Sequence, residues 1–139
     1  MQGGSVKLTL TPELRVGINS IDEQHKELLS RINSLFDALG RGGGNAQVHG
    51  MMEFLEKYVQ YHFATEEGYM TKYGYPDLPR HRGRHQDVSA RFSELKQSFH
   101  SNGMSEDLVM RFEQLLCDYL VAHISRADRA MAEFLKTRI

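Results

Sequence analysis

Histidines and carboxylates recur in this 139-residue chain at steps that share a helix face. In "YHFATEEGYM" (61–70), His62 and Glu66 stand four apart among apolar neighbours, hence on one side of a helix. A lone carboxylate buried there costs several kcal/mol or takes up a proton, so something must compensate it. His81 and His85 repeat the four-residue step in "HRGRH", His25 falls on an apolar stripe of an earlier segment, and Asp128 follows His123 five residues on. Five imidazoles and two carboxylates, spread over four segments, form a donor set for metal ions. Seven donors exceed what one ion takes. A structural zinc site closes with four ligands, commonly thiolates, and the single cysteine, Cys117, lies off the stripes. Two ions bridged by Glu66 and Asp128 fit the count, with iron or manganese suited to imidazole and carboxylate.

The elements that must position these groups are helices. "SIDE" predicts a capping box, with Ser20 as N-cap and Glu23 three residues on. Ile21, His25, Leu28, Ile32, Leu35, Phe36 and Leu39 then recur at helical spacing, as far as the glycine-rich "GRGGGN" (40–45). A second helix is expected from about Asn45 to Tyr73, with Met51, Leu55, Tyr58, His62, Glu66, Tyr69 and Met70 on one face. "YGYPDLP" (73–79) reads as a turn. The third helix carries the stripe His81, His85, Val88, Phe92, Leu95 and Phe99, and "SNGMS" (101–105) ends it. The fourth spans about Ser105 to Lys136, with Leu108, Phe112, Leu116, Tyr119, His123, Ala127, Ala130 and Phe134 on its stripe. Five residues overshoot a helical turn by about 140°, so His123 and Asp128 meet only if the helix widens locally, a feature that tends to mark functional sites.

Short joints between four helices predict an all-α, antiparallel up-down-up-down four-helix bundle. Residues 1–19, with the alternating "VKLTLT", are expected to form an N-terminal arm packing on a single domain, 20–139. A net charge of −1 gives no electrostatic reason to expect nucleic acid. No apolar run approaches the roughly 20 residues of a membrane span, and the first residues lack a secretion-signal pattern. The default expectation is therefore a cytoplasmic protein that binds neither membrane nor nucleic acid. His49 and His100, near helix ends, are expected to be exposed rather than ligands.

With these segments in hand, the chain resembles the bacterial hemerythrin family. "GINSIDEQHKELL" (17–29), "YHFATEEGYM" followed by "YGYP", "HRGRH" and "HISRAD" (123–128) match its four helix motifs in order and spacing, from about Val16 to Met131. The resemblance implies a non-haem di-iron centre that binds dioxygen reversibly, in an oxygen carrier, store or delivery protein rather than an enzyme. It implies one iron on His81, His85 and His123, another with an open position on His25 and His62, and bridges from Glu66, Asp128 and a solvent-derived oxygen. Leu28, Phe63, Leu120 and Ile124 would line the oxygen pocket. Tyr119 stands where the family commonly has a tryptophan; either its phenol tunes the lifetime of the oxygen adduct or it only fills volume. Bacterial relatives imply a monomer, with an oxygen-consuming enzyme as recipient. Beside the resemblance, replacing most carboxylates of a ferritin-like site by neutral imidazoles disfavours strongly oxidised metal and so favours reversible binding. The alternatives are an oxygen or redox sensor, and a di-iron peroxidase or nitric oxide reductase.

Overall fold

The structure, a computed structural model, describes residues 14–40 and 44–139, with only the backbone of Asn45 and Tyr119. Most of the expected arm and the centre of the glycine loop lie outside the described residues. Among those described, α1 (Asn19–Gly40), α2 (Asn45–Tyr73) and α3 (Leu78–Asn102) precede a fourth helix running from Glu106 to Lys136. Consecutive helices pack side by side in an up-down-up-down four-helix bundle. A hydrogen bond from His25 to Asp128 links the first helix to the last.

The start of α1 differs from the expected capping box. The helix begins at Asn19, and Asp22 reaches back to the chain before it: its two carboxylate oxygens accept from the backbone N–H groups of Val16 (2.8 Å) and Gly17 (3.1 Å). Ser20 is already helical, and its hydroxyl pairs with the Tyr69 hydroxyl at 2.8 Å. Gly17 has φ +91°, a backbone region that glycine enters without penalty. Leu14, Val16 and Ile18 are buried, which ties this stretch to the bundle.

Gly74 (φ +68°) closes α2 in a left-handed cap, its N–H donating to Met70 O. The turn after it is shorter than expected, because α3 starts at Leu78 and takes Pro79 into its first turn. Proline is tolerated there, since the N–H it lacks would have no partner within the helix. Ser105 caps the fourth helix by accepting from Leu108 N at 3.1 Å.

That helix is not regular. Two stretches, Gln114–Leu120 and Ile124–Asp128, are π-helical. The second is the local widening expected between His123 and Asp128. It also rotates the last turns of the helix: Ala130 is exposed and Phe134 half-buried, whereas Met131, Ala132 and Leu135 face inward. On α2 the buried line includes Met52 and Val59, while Met51, Tyr58 and Tyr69 sit half-buried at its edge.

The apolar interior comes in two clusters. The larger includes Leu28, Ile32, Leu55, Phe63, Val88, Phe92, Phe112, Leu120 and Ile124. The smaller comprises Val16, Ile18, Ile21, Met70, Met131, Ala132 and Leu135. On α1, His25 lies between Ile21 of one and Leu28 of the other; on α2, Glu66 lies between Met70 and Phe63. The polar residues therefore occupy a layer between two oily compartments.

Candidate metal centre

All seven proposed donors are buried: His25, His62, Glu66, His81, His85, His123 and Asp128. Every helix contributes, and the donors meet at one level of the bundle. The two carboxylates organise them. Glu66 presents Oε1 to His81 Nε2 (3.2 Å) and His85 Nε2 (3.0 Å), and Oε2 to His62 Nε2 (3.1 Å) and His25 Nε2 (3.5 Å). Asp128 presents Oδ1 to His81 Nε2 (3.0 Å) and His123 Nε2 (3.1 Å), and Oδ2 to His25 Nε2 (3.0 Å). Each carboxylate thus splits its oxygens between a three-histidine side and a two-histidine side. The π-helical turn puts His123 and Asp128 on the same side of their helix, because an i to i+5 repeat brings such residues into line.

Two groups suited to holding a cation share these carboxylates. One is Glu66, His81, His85, His123 and Asp128; the other is His25, His62, Glu66 and Asp128. The residues fit metal ions on a further count. His62 Nε2, His123 Nε2, Glu66 Oε2 and Asp128 Oδ1 are buried without a hydrogen bond among the described residues. A polar atom left so costs about 1–3 kcal/mol, and four converging ones are what a cation would compensate.

Charge in the protein alone reflects this crowding. Burial pulls the His25 and His81 imidazoles down, but hydrogen bonds and charge from Asp128 and Glu66 outweigh it and raise both to about 9. Burial pushes Glu66 and Asp128 up. The surrounding imidazoles outweigh that too and hold both carboxyls well below their usual range.

An outer ring of partners aims the donors, and sequence reasoning missed it. Gln24, itself buried, accepts from His62 Nδ1 at 2.7 Å and donates to Thr65 Oγ1 at 3.3 Å. Glu67 accepts from His85 Nδ1 at 2.8 Å and pairs with Arg82 at 3.2 Å. Fixing the outer nitrogen of a ligand histidine sets its tautomer and orientation. The available signal was adjacency, Gln24 beside His25 and Glu67 beside Glu66.

Of the expected pocket residues, Leu28, Phe63, Leu120 and Ile124 are buried in the larger apolar cluster that abuts the centre. Phe63 stacks on His85, with centroids 3.8 Å apart and planes 5° apart, and meets His62 and His123 at wider angles. The Tyr119 side chain lies outside the described residues. Cys117 is half-buried, His100 exposed, and His49 half-buried rather than exposed.

A four-helix bundle with five histidines and two shared carboxylates at its core defines a cation-binding bundle protein. The chain belongs to the hemerythrin family: residues 16–135 match the Hemerythrin HHE cation binding domain. It is 32% identical to the bacteriohemerythrin of Pseudomonas aeruginosa (strain PAO1) over 124 residues, 89% of this chain and 78% of that protein. It is 27% identical to the bacteriohemerythrin of Methylococcus capsulatus (strain Bath) over 117 residues, 84% of this chain and 87% of that one. The crystal structure of wild-type hemerythrin superposes with a TM-score of 0.80 at 26% identity, covering 94% of this chain and 97% of that one. Among the described residues no helix is long and apolar enough to cross a membrane.

Proposed function

We infer that this protein binds dioxygen reversibly at a non-haem di-iron centre. Family membership supports the reading, and one observation carries it to particular residues: the two donor groups are unequal. The three-histidine side offers five donors and the two-histidine side four, with Glu66 and Asp128 common to both. His81, His85 and His123 would hold one iron and His25 and His62 the other. Glu66 and Asp128 would bridge, with a solvent-derived oxygen as third bridge. The side with fewer donors keeps room for an exogenous ligand.

The iron pair would supply the electrons that make dioxygen binding strong yet reversible. The protein's own groups do the rest. Gln24 and Glu67 hold the rings of His62 and His85 so that Nε2 faces the centre. Leu28, Phe63, Leu120 and Ile124, with Tyr119 by position, would line the ligand pocket, where apolar walls exclude water and slow proton delivery. Glu67 is committed to His85 and Arg82, which leaves it poorly placed to serve as a general acid. This favours a carrier, store or delivery protein over a peroxidase or nitric oxide reductase. The reading extends to one domain with a short N-terminal arm, acting as a monomer in the cytoplasm and handing oxygen to a consuming enzyme.

The test is anaerobic reduction of the iron-loaded protein followed by titration with dioxygen, watched by visible absorption. The absorption should appear with oxygen and bleach on its removal through repeated cycles. Irreversible oxidation in the first cycle, or fewer than two irons held per chain, overturns the reading. Catalytic consumption of peroxide or nitric oxide at those irons would favour the enzyme.

A further inference from the structure

Away from the buried centre, a second set of metal-ligand side chains comes together. His49 and Glu53 stand four apart near the start of α2, and His100 comes from the end of α3. One ligand atom from each lies within 4.8 Å of the others. The two imidazoles sit edge to face with centroids 4.4 Å apart, and His49 Nε2 is 3.8 Å from Glu53 Oε2. His49 Nδ1 is buried without a hydrogen-bond partner among the described residues. At 1.5 Å per residue, His49 lies about 20 Å along α2 from His62, so the two sites share no ligand.

We propose that His49, Glu53 and His100 bind a single divalent transition-metal ion at the opposite end of the bundle from the start of α1. Two imidazoles and a carboxylate without thiolate form a donor set of the kind that takes zinc, nickel or copper(II), water completing the shell. The donors come from two helices, so an ion there ties the start of α2 to the end of α3. Their setting is half-exposed, unlike that of the buried centre, so the ion exchanges directly with solvent. Lys96 sets the strength of the site. Its ammonium lies 3.0 Å from Glu53 Oε2 and also reaches Glu56. An ion displaces it from Glu53 and leaves it paired with Glu56, so affinity is lower than three free ligands would give.

The test uses the full chain with its buried centre already loaded with iron. Zinc chloride is titrated by calorimetry while iron content is followed in parallel. One further equivalent should bind with iron retained. His100→Ala and Glu53→Gln should each weaken zinc binding at least tenfold, and Lys96→Met should tighten it severalfold. Copper(II) added in place of zinc should show two coupled imidazole nitrogens by electron paramagnetic resonance, and one in His100→Ala. His100 is exposed, so its removal leaves folding intact, which circular dichroism checks. Zinc that only displaces iron, or an affinity unchanged in His100→Ala, overturns the proposal.

Discussion

Glu67 accepts a hydrogen bond from His85 Nδ1 at 2.8 Å, while the other nitrogen of the same ring faces Glu66 at 3.0 Å. Adjacent glutamates therefore do different work: one aims the ring and the other shares its target. Glu67→Ala should weaken metal retention on the three-histidine side roughly 10–100-fold. Glu67→Gln keeps an acceptor and should lose less. Iron remaining after a timed chelator challenge measures both, and equal retention in wild type and Glu67→Ala would sink the idea.

Gln24 does the same for the two-histidine side, through His62 Nδ1. Gln24→Leu removes the acceptor at similar volume. One iron should leave more readily than the other, so chelation becomes biphasic with a first step near one iron per chain. Gln24→Glu restores an acceptor and should recover single-phase loss. Parallel loss of both irons in Gln24→Leu would count against this assignment.

Acidity affects the metal-free and metal-loaded forms in opposite senses. Without metal, His25 and His81 titrate at about 9 instead of 6.5. A raised value means the folded state holds those protons more tightly, so their stabilisation is complete below about pH 6.5 and is lost as pH rises through about 9. The metal-free protein should melt at a lower temperature at pH 9.5 than at pH 6.5. Metal requires neutral imidazole, so loading should release protons and grow tighter over that same interval. Calorimetry in buffers of different ionisation enthalpy counts the protons. A metal-free melting temperature that is flat across the interval would refute this.

Gly17 donates its N–H to Asp22 from a backbone with φ +91°. An added Cβ would also come within 2.6 Å of Lys136 Nζ, the far end of a flexible side chain that can move aside. The backbone term therefore dominates, and Gly17→Ala should cost about 1–2 kcal/mol. Chemical denaturation would show it as a lower midpoint with unchanged slope. A midpoint equal to wild type would mean that the turn relaxes.

Helix positions were legible in the sequence where the period stays constant. The α3 stripe of His81, His85, Val88, Phe92, Leu95 and Phe99 is buried throughout, because nothing interrupts the 3.6-residue repeat. Six of the seven donors were legible for the same reason, since each lies on such a stripe; Asp128 was reached only through its five-residue spacing from His123. The end of the fourth helix was not. The π-helical turn at Ile124–Asp128 was anticipated from the His123 to Asp128 spacing, yet its effect downstream moves the inner face from Ala130 and Phe134 to Met131 and Leu135. The expected cap of α1 at Ser20 did not form, because its hydroxyl pairs with Tyr69 of α2, a long-range partner that local sequence does not reveal, while Asp22 holds the preceding turn. Gln24 and Glu67 escaped notice because residue spacing does not tell which ring nitrogen points outward.

The divided interior has its own thermodynamic meaning. Seven buried apolar residues on one side of the donor layer are set apart from the far larger group on the other by five imidazoles and two carboxylates. In the metal-free protein the smaller cluster, with less apolar surface to hold its end of the bundle, should be the first to open. Cations seated in the layer would bind all four helices at once and join the halves into one cooperative body, so occupancy of the centre would decide whether the molecule unfolds in one step or two.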